Sequence, residues 1–215
     1  MALSQAALQK KKQKKQQKRK TTIANKNQKM IILEQTPFLQ RGEIYQCWRM
    51  TKEPNEGIEQ IIISRYIPTT DSVVVVGFLV DSYCLGVKNI FIREEDKYSL
   101  NDLLRKLSSA FDGEMRLVSS ELAKKYILSA VEYAKSLGIN PYHEYASAKM
   151  VFADVNASAC NEAFVFGKDG KPLLIGGPND SEKQLKLWLK ALEQSCEIGG
   201  FDYILPVGGN SNYFE

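Results

Sequence analysis

The chain has 215 residues, with 29 Lys or Arg against 25 Asp or Glu, one His and four Cys; 44% of its residues are hydrophobic and 25% charged. This is the composition of an ordinary globular protein and excludes collagen-like and disulfide-scaffold classes. The longest apolar run, residues 73–80, includes Gly77 and falls far short of the ~20 residues a membrane-spanning helix needs.

The charge is concentrated. Residues 1–29 hold ten cations and no acid, so the remainder has 19 bases against 25 acids, a net of −6. Eight of the ten, Lys10, Lys11, Lys12, Lys14, Lys15, Lys18, Arg19 and Lys20, lie within eleven residues, interrupted only by Gln. Such a segment has almost nothing apolar to bury against its ordering entropy, and like charges repel at helical spacing. Residues 1–29 therefore read as a disordered basic tail, and residues 30–215 as one domain. Each Lys or Arg that neutralises a phosphate releases a counterion, so a polyanion is the natural partner of the tail. The dominance of Lys over Arg argues against base-specific reading by this segment, because bidentate readout of guanine favours Arg.

The domain opens with two β-rich segments, residues 43–50 (EIYQCWRM) and 59–66 (EQIIISRY), joined by the turn-forming KEPNEG and expected to form a hairpin. Residues 72–81 (SVVVVGFLVD) read as a strand buried on both faces, with Gly77 marking a bulge or a close backbone approach. Residues 87–93 read as a further strand, which completes an antiparallel meander. Leu100, Leu103, Leu104 and Leu107 recur at helical spacing after a Ser99–Asp102 spacing that resembles a capping box. A second helix runs from Ser119 or Ser120 to Gly138, and Asn140-Pro141 prevents its continuation. Beyond it, residues 149–155 read as a strand. Residues 162–167 and 171–176 read as a hairpin around Lys168-Asp169-Gly170. Ser181 with Gln184 caps a third helix with a Leu185, Trp188, Leu189, Leu192 stripe, and residues 202–207 read as a last strand. The expected fold is α+β, mostly antiparallel sheet with about three main helices.

The chemistry-bearing residues are sparse. Cys47, Cys84, Cys160 and Cys196 form no paired metal-ligand spacing, and there is no phosphate-loop or dinucleotide motif, so no metal and no cofactor are expected. Scattered thiols behind a charged N-terminus without an apolar signal segment suggest a reducing cytoplasm. Cys84 follows the buried strand; with His143 as base and Asp154 as orienter it would make a thiol-hydrolase constellation. Asp81, Asp154 and Asp180 are strand-end or helix-start acids that could hold Mg²⁺ for nuclease chemistry if they converged; each is also explained by local turn or cap hydrogen bonds. Residues 176–181 (GGPNDS) run into a helix, but Asp180 and Glu182 would repel a phosphate.

Residues 78–88 (FLVDSYCLGVK), 152–156 (FADVN) with Cys160, and 166–180 (FGKDGKPLLIGGPND) resemble an uncharacterised family of bacterial proteins that carry a Lys-rich N-terminus and no assigned activity. The resemblance spans about residues 40–207. It implies a single module in a bacterial, cytoplasmic setting and brings no catalytic residues. The expected function is nucleic-acid association, RNA or a ribonucleoprotein before duplex DNA, through the tail, with the body free to meet a protein partner and no membrane involved. A binding protein is favoured over an enzyme. The alternatives are a Cys84-dependent hydrolase and a protein–protein adaptor.

Overall fold

The computed structural model describes residues 39–40, 42–52 and 56–205. The expected disordered tail and the end of the chain lie outside them. Four strands follow one another as an antiparallel meander: β1 (Glu43–Thr51), β2 (Ile58–Ile67), β3 (Ser72–Asp81) and β4 (Gly86–Asp96). The chain then crosses one face as α1 (Leu100–Phe111) and adds β5 (Glu114–Val118) antiparallel to β1, giving the order β4-β3-β2-β1-β5. β5 carries no apolar run or strict alternation that would mark it as a strand.

Strand alternation divides the core. On one face Trp48, Met50, Ile62, Val73 and Val75 meet Leu100, Leu103 and Leu104 of α1. Burying each of those leucines stabilises the layer by roughly 2 kcal/mol. The register pairs Gly77 with Phe91, and a Cβ on Gly77 would sit 2.1 Å from the Phe91 ring. Gly77 is thus a close approach rather than a bulge. Residues of opposite parity, including Arg49, Ile61, Val76 and Phe78, point to the other face. There α2 (Ser120–Ser136) covers the sheet with Ala123, Tyr126, Ile127, Ala130 and Val131 buried. Ser119 caps its start by accepting the Leu122 N–H, and bonds from Gly138 to Lys135 and from Ile139 to Ala134 close its end as expected.

The capping box expected at α1 does not form. Ser99 already has helical backbone angles, so its hydroxyl cannot occupy the cap position. A 3-10 turn, Lys97–Ser99, precedes the helix instead, and Asp96 caps that turn.

The strand expected at 149–155 is also absent. A short helix α3 (Tyr145–Ala148) runs into a 3-10 turn, Lys149–Phe152. Val151 and Phe152 are both buried in this turn, and Phe152 packs on Phe78 at 5.7 Å between ring centroids.

The Asp169-Gly170 turn does form. Both residues have positive φ, and Lys168 and Lys171 exchange backbone hydrogen bonds across it. The hairpin stops at that pair. Residues 162–167 form no strand because Phe164 and Phe166 turn onto α2, against Tyr126 and Tyr133. The downstream arm shortens to β6 (Leu173–Ile175), which pairs in parallel with β7 (Asp202–Ile204) across α4 (Glu182–Ser195). The Ser181–Gln184 capping box of α4 forms as its spacing predicts.

Candidate functional site: a cleft around a Lys–Asp pair

α2 and the segments flanking the Asp169-Gly170 turn meet at the loop between β3 and β4. Asp81 there accepts the backbone N–H groups of Tyr83 and Cys84 at 3.0 and 2.9 Å. The Ser82 carbonyl accepts from Gly167, and the Tyr83 carbonyl from Leu173 and the Tyr133 hydroxyl. The loop thereby ties the sheet to α2 and to the C-terminal layer.

Just past the loop the register shifts: Val80 pairs with Val87 and Leu79 with Asn89, so Lys88 is an extra residue with no opposite number. Such a bulge re-aims its side chain off the ladder. The Lys88 ammonium bonds Asp180 Oδ2 at 2.8 Å and lies 5.8 Å from the centre of the Trp188 ring. The same oxygen accepts the Gly177 N–H at 2.7 Å, which fixes the turn leading into α4. A side chain at Gly177 would crowd both Asp180 and the Lys88 ammonium.

Around this pair is a cleft of about 480 Å³. Leu85 and Ile139 line it, and both belong to the apolar cluster that continues beneath α4. Asn140, Tyr142 and His143 form one wall, held by a hydrogen bond from the Tyr142 N–H to the Val87 carbonyl. Gln184 and Trp188, one helical turn apart on α4, form another. The volume and the mixture of apolar floor with a few polar groups are those of a small-ligand site.

The residues singled out from sequence have different surroundings. Cys84 is fully buried among Leu85, Ala134, Leu137 and Leu189. Burial, then the Asp81 charge, pushes its thiol far up, which disfavours the thiolate a nucleophile needs. His143 is exposed at the cleft rim beside Tyr142. Asp154 is clasped by both arms of the Arg65 guanidinium at 2.7 Å, and this hydrogen-bonded pairing holds its carboxyl below the usual range. Arg65 itself is 2% exposed and also donates to the Gly42 and Val151 carbonyls. On β2 it lies seven residues from Ile58, which pairs with Asp81; at strand rise that is roughly 23 Å. Asp154 is therefore remote from the Cys84 loop, and no described hydrogen bond joins Cys84, His143 and Asp154. Nor do Asp81, Asp154 and Asp180 converge: among the described residues no group of three His, Cys, Asp or Glu is placed to hold a metal ion. Lys10, Lys11, Lys12, Lys14, Lys15, Lys18, Arg19 and Lys20 lie outside the described residues.

Sequence reasoning passed over Lys88, Asn140, Tyr142 and Trp188 as site residues. Lys88 sits in a run that reads as plain strand, and nothing in VKNIF announces the bulge. No described helix is long and apolar enough to cross a membrane. Compared with known proteins, the chain matches no family model, no curated protein sequence and no solved structure.

Proposed function

We propose that this is a nucleic-acid-associated protein, with RNA or a ribonucleoprotein as the preferred partner, whose Lys-rich N-terminal segment takes the phosphates. The observation that carries this reading is the charge partition: ten cations and no acid in residues 1–29, against a net of −6 over the rest. The described body is consistent with that division of labour, because many of its cations are engaged internally. Arg49 pairs with Glu59, Arg65 with Asp154 and Lys88 with Asp180. Lys124, Lys125 and Lys171 donate to backbone carbonyls. Lys97 sits over the rings of Tyr66 and Tyr45. A polyanion gains little from cations already committed in this way.

The test is a titration of the full chain with a uridine homopolymer at several salt concentrations. It is repeated on a full-length variant with the eight cations between Lys10 and Lys20 changed to Gln. The native chain should lose affinity steeply with salt, by about 0.7 in logarithmic slope for each phosphate neutralised on a single strand. The variant should bind weakly with a shallow slope. Equal slopes would end the proposal.

A further inference from the structure

The cleft has a recognition chemistry separate from that of the cationic segment. Its central charges cancel, so a free phosphate meets Asp180 and a metal cation meets Lys88, and neither gains a net attraction. The pair instead offers a hydrogen-bond donor directly beside an acceptor. The Lys88 ammonium has three donors, of which Asp180 takes one. Asp180 commits Oδ2 to Lys88 and Gly177, while Oδ1 has no partner among the described hydrogen bonds. The two side chains are 17% and 10% exposed, so bonds made here are largely shielded from water and still reachable from the cleft. The half-buried indole of Trp188 stands beside the ammonium and supplies a flat apolar face.

A donor next to a carboxylate, beside an aromatic wall and over an aliphatic floor, fits a planar heterocycle whose edge reads acceptor, donor, donor. Guanine has that edge: O6 can accept from Lys88, and N1–H and the N2 amino group can both donate to Oδ1 of Asp180 while the ring lies on Trp188. Adenine can also meet the pair, its N1 accepting from Lys88 and its amino group donating to Asp180, but it gives the carboxylate one donor instead of two. Cytosine offers the carboxylate one donor instead of two. We propose that the cleft binds a guanine moiety through Lys88, Asp180 and Trp188. This goes beyond the reading of the N-terminal segment and is independent of it, because a nucleoside carries no phosphate for that segment to hold.

The experiment titrates the full chain with guanosine, inosine, adenosine and cytidine and follows tryptophan emission. Trp48 is buried in the α1 layer, so a saturable change reports Trp188. Guanosine should saturate. Inosine, which lacks the amino group, should bind about tenfold more weakly, the scale of one hydrogen bond to a charged acceptor. Adenosine and cytidine, each with one donor for the carboxylate, should also bind about tenfold more weakly. Asp180→Asn should weaken guanosine about tenfold or more, and Lys88→Met should weaken it too. Should Asp180→Asn fail to fold, the ranking of nucleosides on the native chain, with loss of the signal in Trp188→Phe, decides the matter. The source of the base is read from single-stranded oligouridine with and without one guanosine. Discrimination between the two that disappears in Lys88→Met points to RNA, and guanosine binding without such discrimination points to a free nucleoside or nucleotide. No saturation by guanosine up to about 1 mM, or cytidine or adenosine binding as well as guanosine, would overturn the proposal.

Discussion

The loop that joins the sheet to the C-terminal layer depends on a carboxylate kept out of water, and this has a measurable pH signature. Asp81 is 2% exposed. Burial raises its pKa, and the backbone bonds from Cys84, Leu85 and Tyr83 with the Lys88 charge only partly counter this, so the group titrates at about 6 instead of 3.8. Because the folded value is raised, the protonated form favours folding. Its contribution is fully present below the ordinary carboxyl range and is lost as pH rises through about 6. A displacement from 3.8 to about 6 corresponds to about 3 kcal/mol. Asp81→Asn keeps the shape and an acceptor oxygen but cannot ionise. Urea unfolding of both proteins, followed by tryptophan emission across this range, isolates the term, because the other titrating groups are common to the two. Relative to the native chain, the variant should gain about 3 kcal/mol between about pH 3 and pH 7.5. A difference that stays flat with pH, or that falls, would refute the assignment of a dry carboxylate at this loop.

Three further outcomes follow from the packing. Arg65→Met leaves the Gly42 and Val151 carbonyls without their donor and should cost about 3 kcal/mol or more in denaturant unfolding; Asp154→Asn should cost only about 1 kcal/mol, since that carboxylate is largely in water. Gly86 has a φ of 63° and a Cβ there would lie 2.7 Å from the Ala130 carbonyl oxygen of α2, so Gly86→Ala should lower stability by about 2–4 kcal/mol in thermal or chemical unfolding. Gly77→Ala meets only a half-buried ring that can swing away, and should cost less. In native protein Cys160 and Cys196 should react with a thiol reagent well before Cys47 and Cys84, whose reaction should track unfolding; rapid labelling of Cys84 would reopen the hydrolase reading.

The parts of the fold legible in the sequence are those governed by local pattern. The four-strand meander was readable because turn chemistry separates long β-branched runs, and α2 and α4 because cap, stripe and stop agree. The errors arise where tertiary contacts decide. Residues 149–155 have strand-like composition, but Val151 and Phe152 are both buried in a 3-10 turn and Arg65 takes the Val151 carbonyl. Residues 162–167 have strand propensity, but two phenylalanines are drawn to the tyrosines of α2. The parallel β6–β7 pair joins segments on either side of α4, and no local signal gives its direction. The cleft was illegible for a related reason: its central lysine is aimed by a one-residue register shift, and its aspartate reads from sequence as a helix-start residue. Asp154 reads as a possible orienter only while the buried Arg65 that holds it is out of view.

The central claim is that phosphate contacts fall on the N-terminal segment and not on the body. Lysine footprinting tests it most directly: amine-reactive labelling of the full chain, with and without a uridine homopolymer, is read residue by residue by mass spectrometry. The homopolymer carries no guanine, so the cleft is not engaged. Protection should concentrate on Lys10, Lys11, Lys12, Lys14, Lys15, Lys18 and Lys20. The exposed body lysines Lys106, Lys135, Lys149, Lys183 and Lys190 should stay as reactive as in free protein. Protection of those body lysines, with residues 10–20 unchanged, would contradict the account.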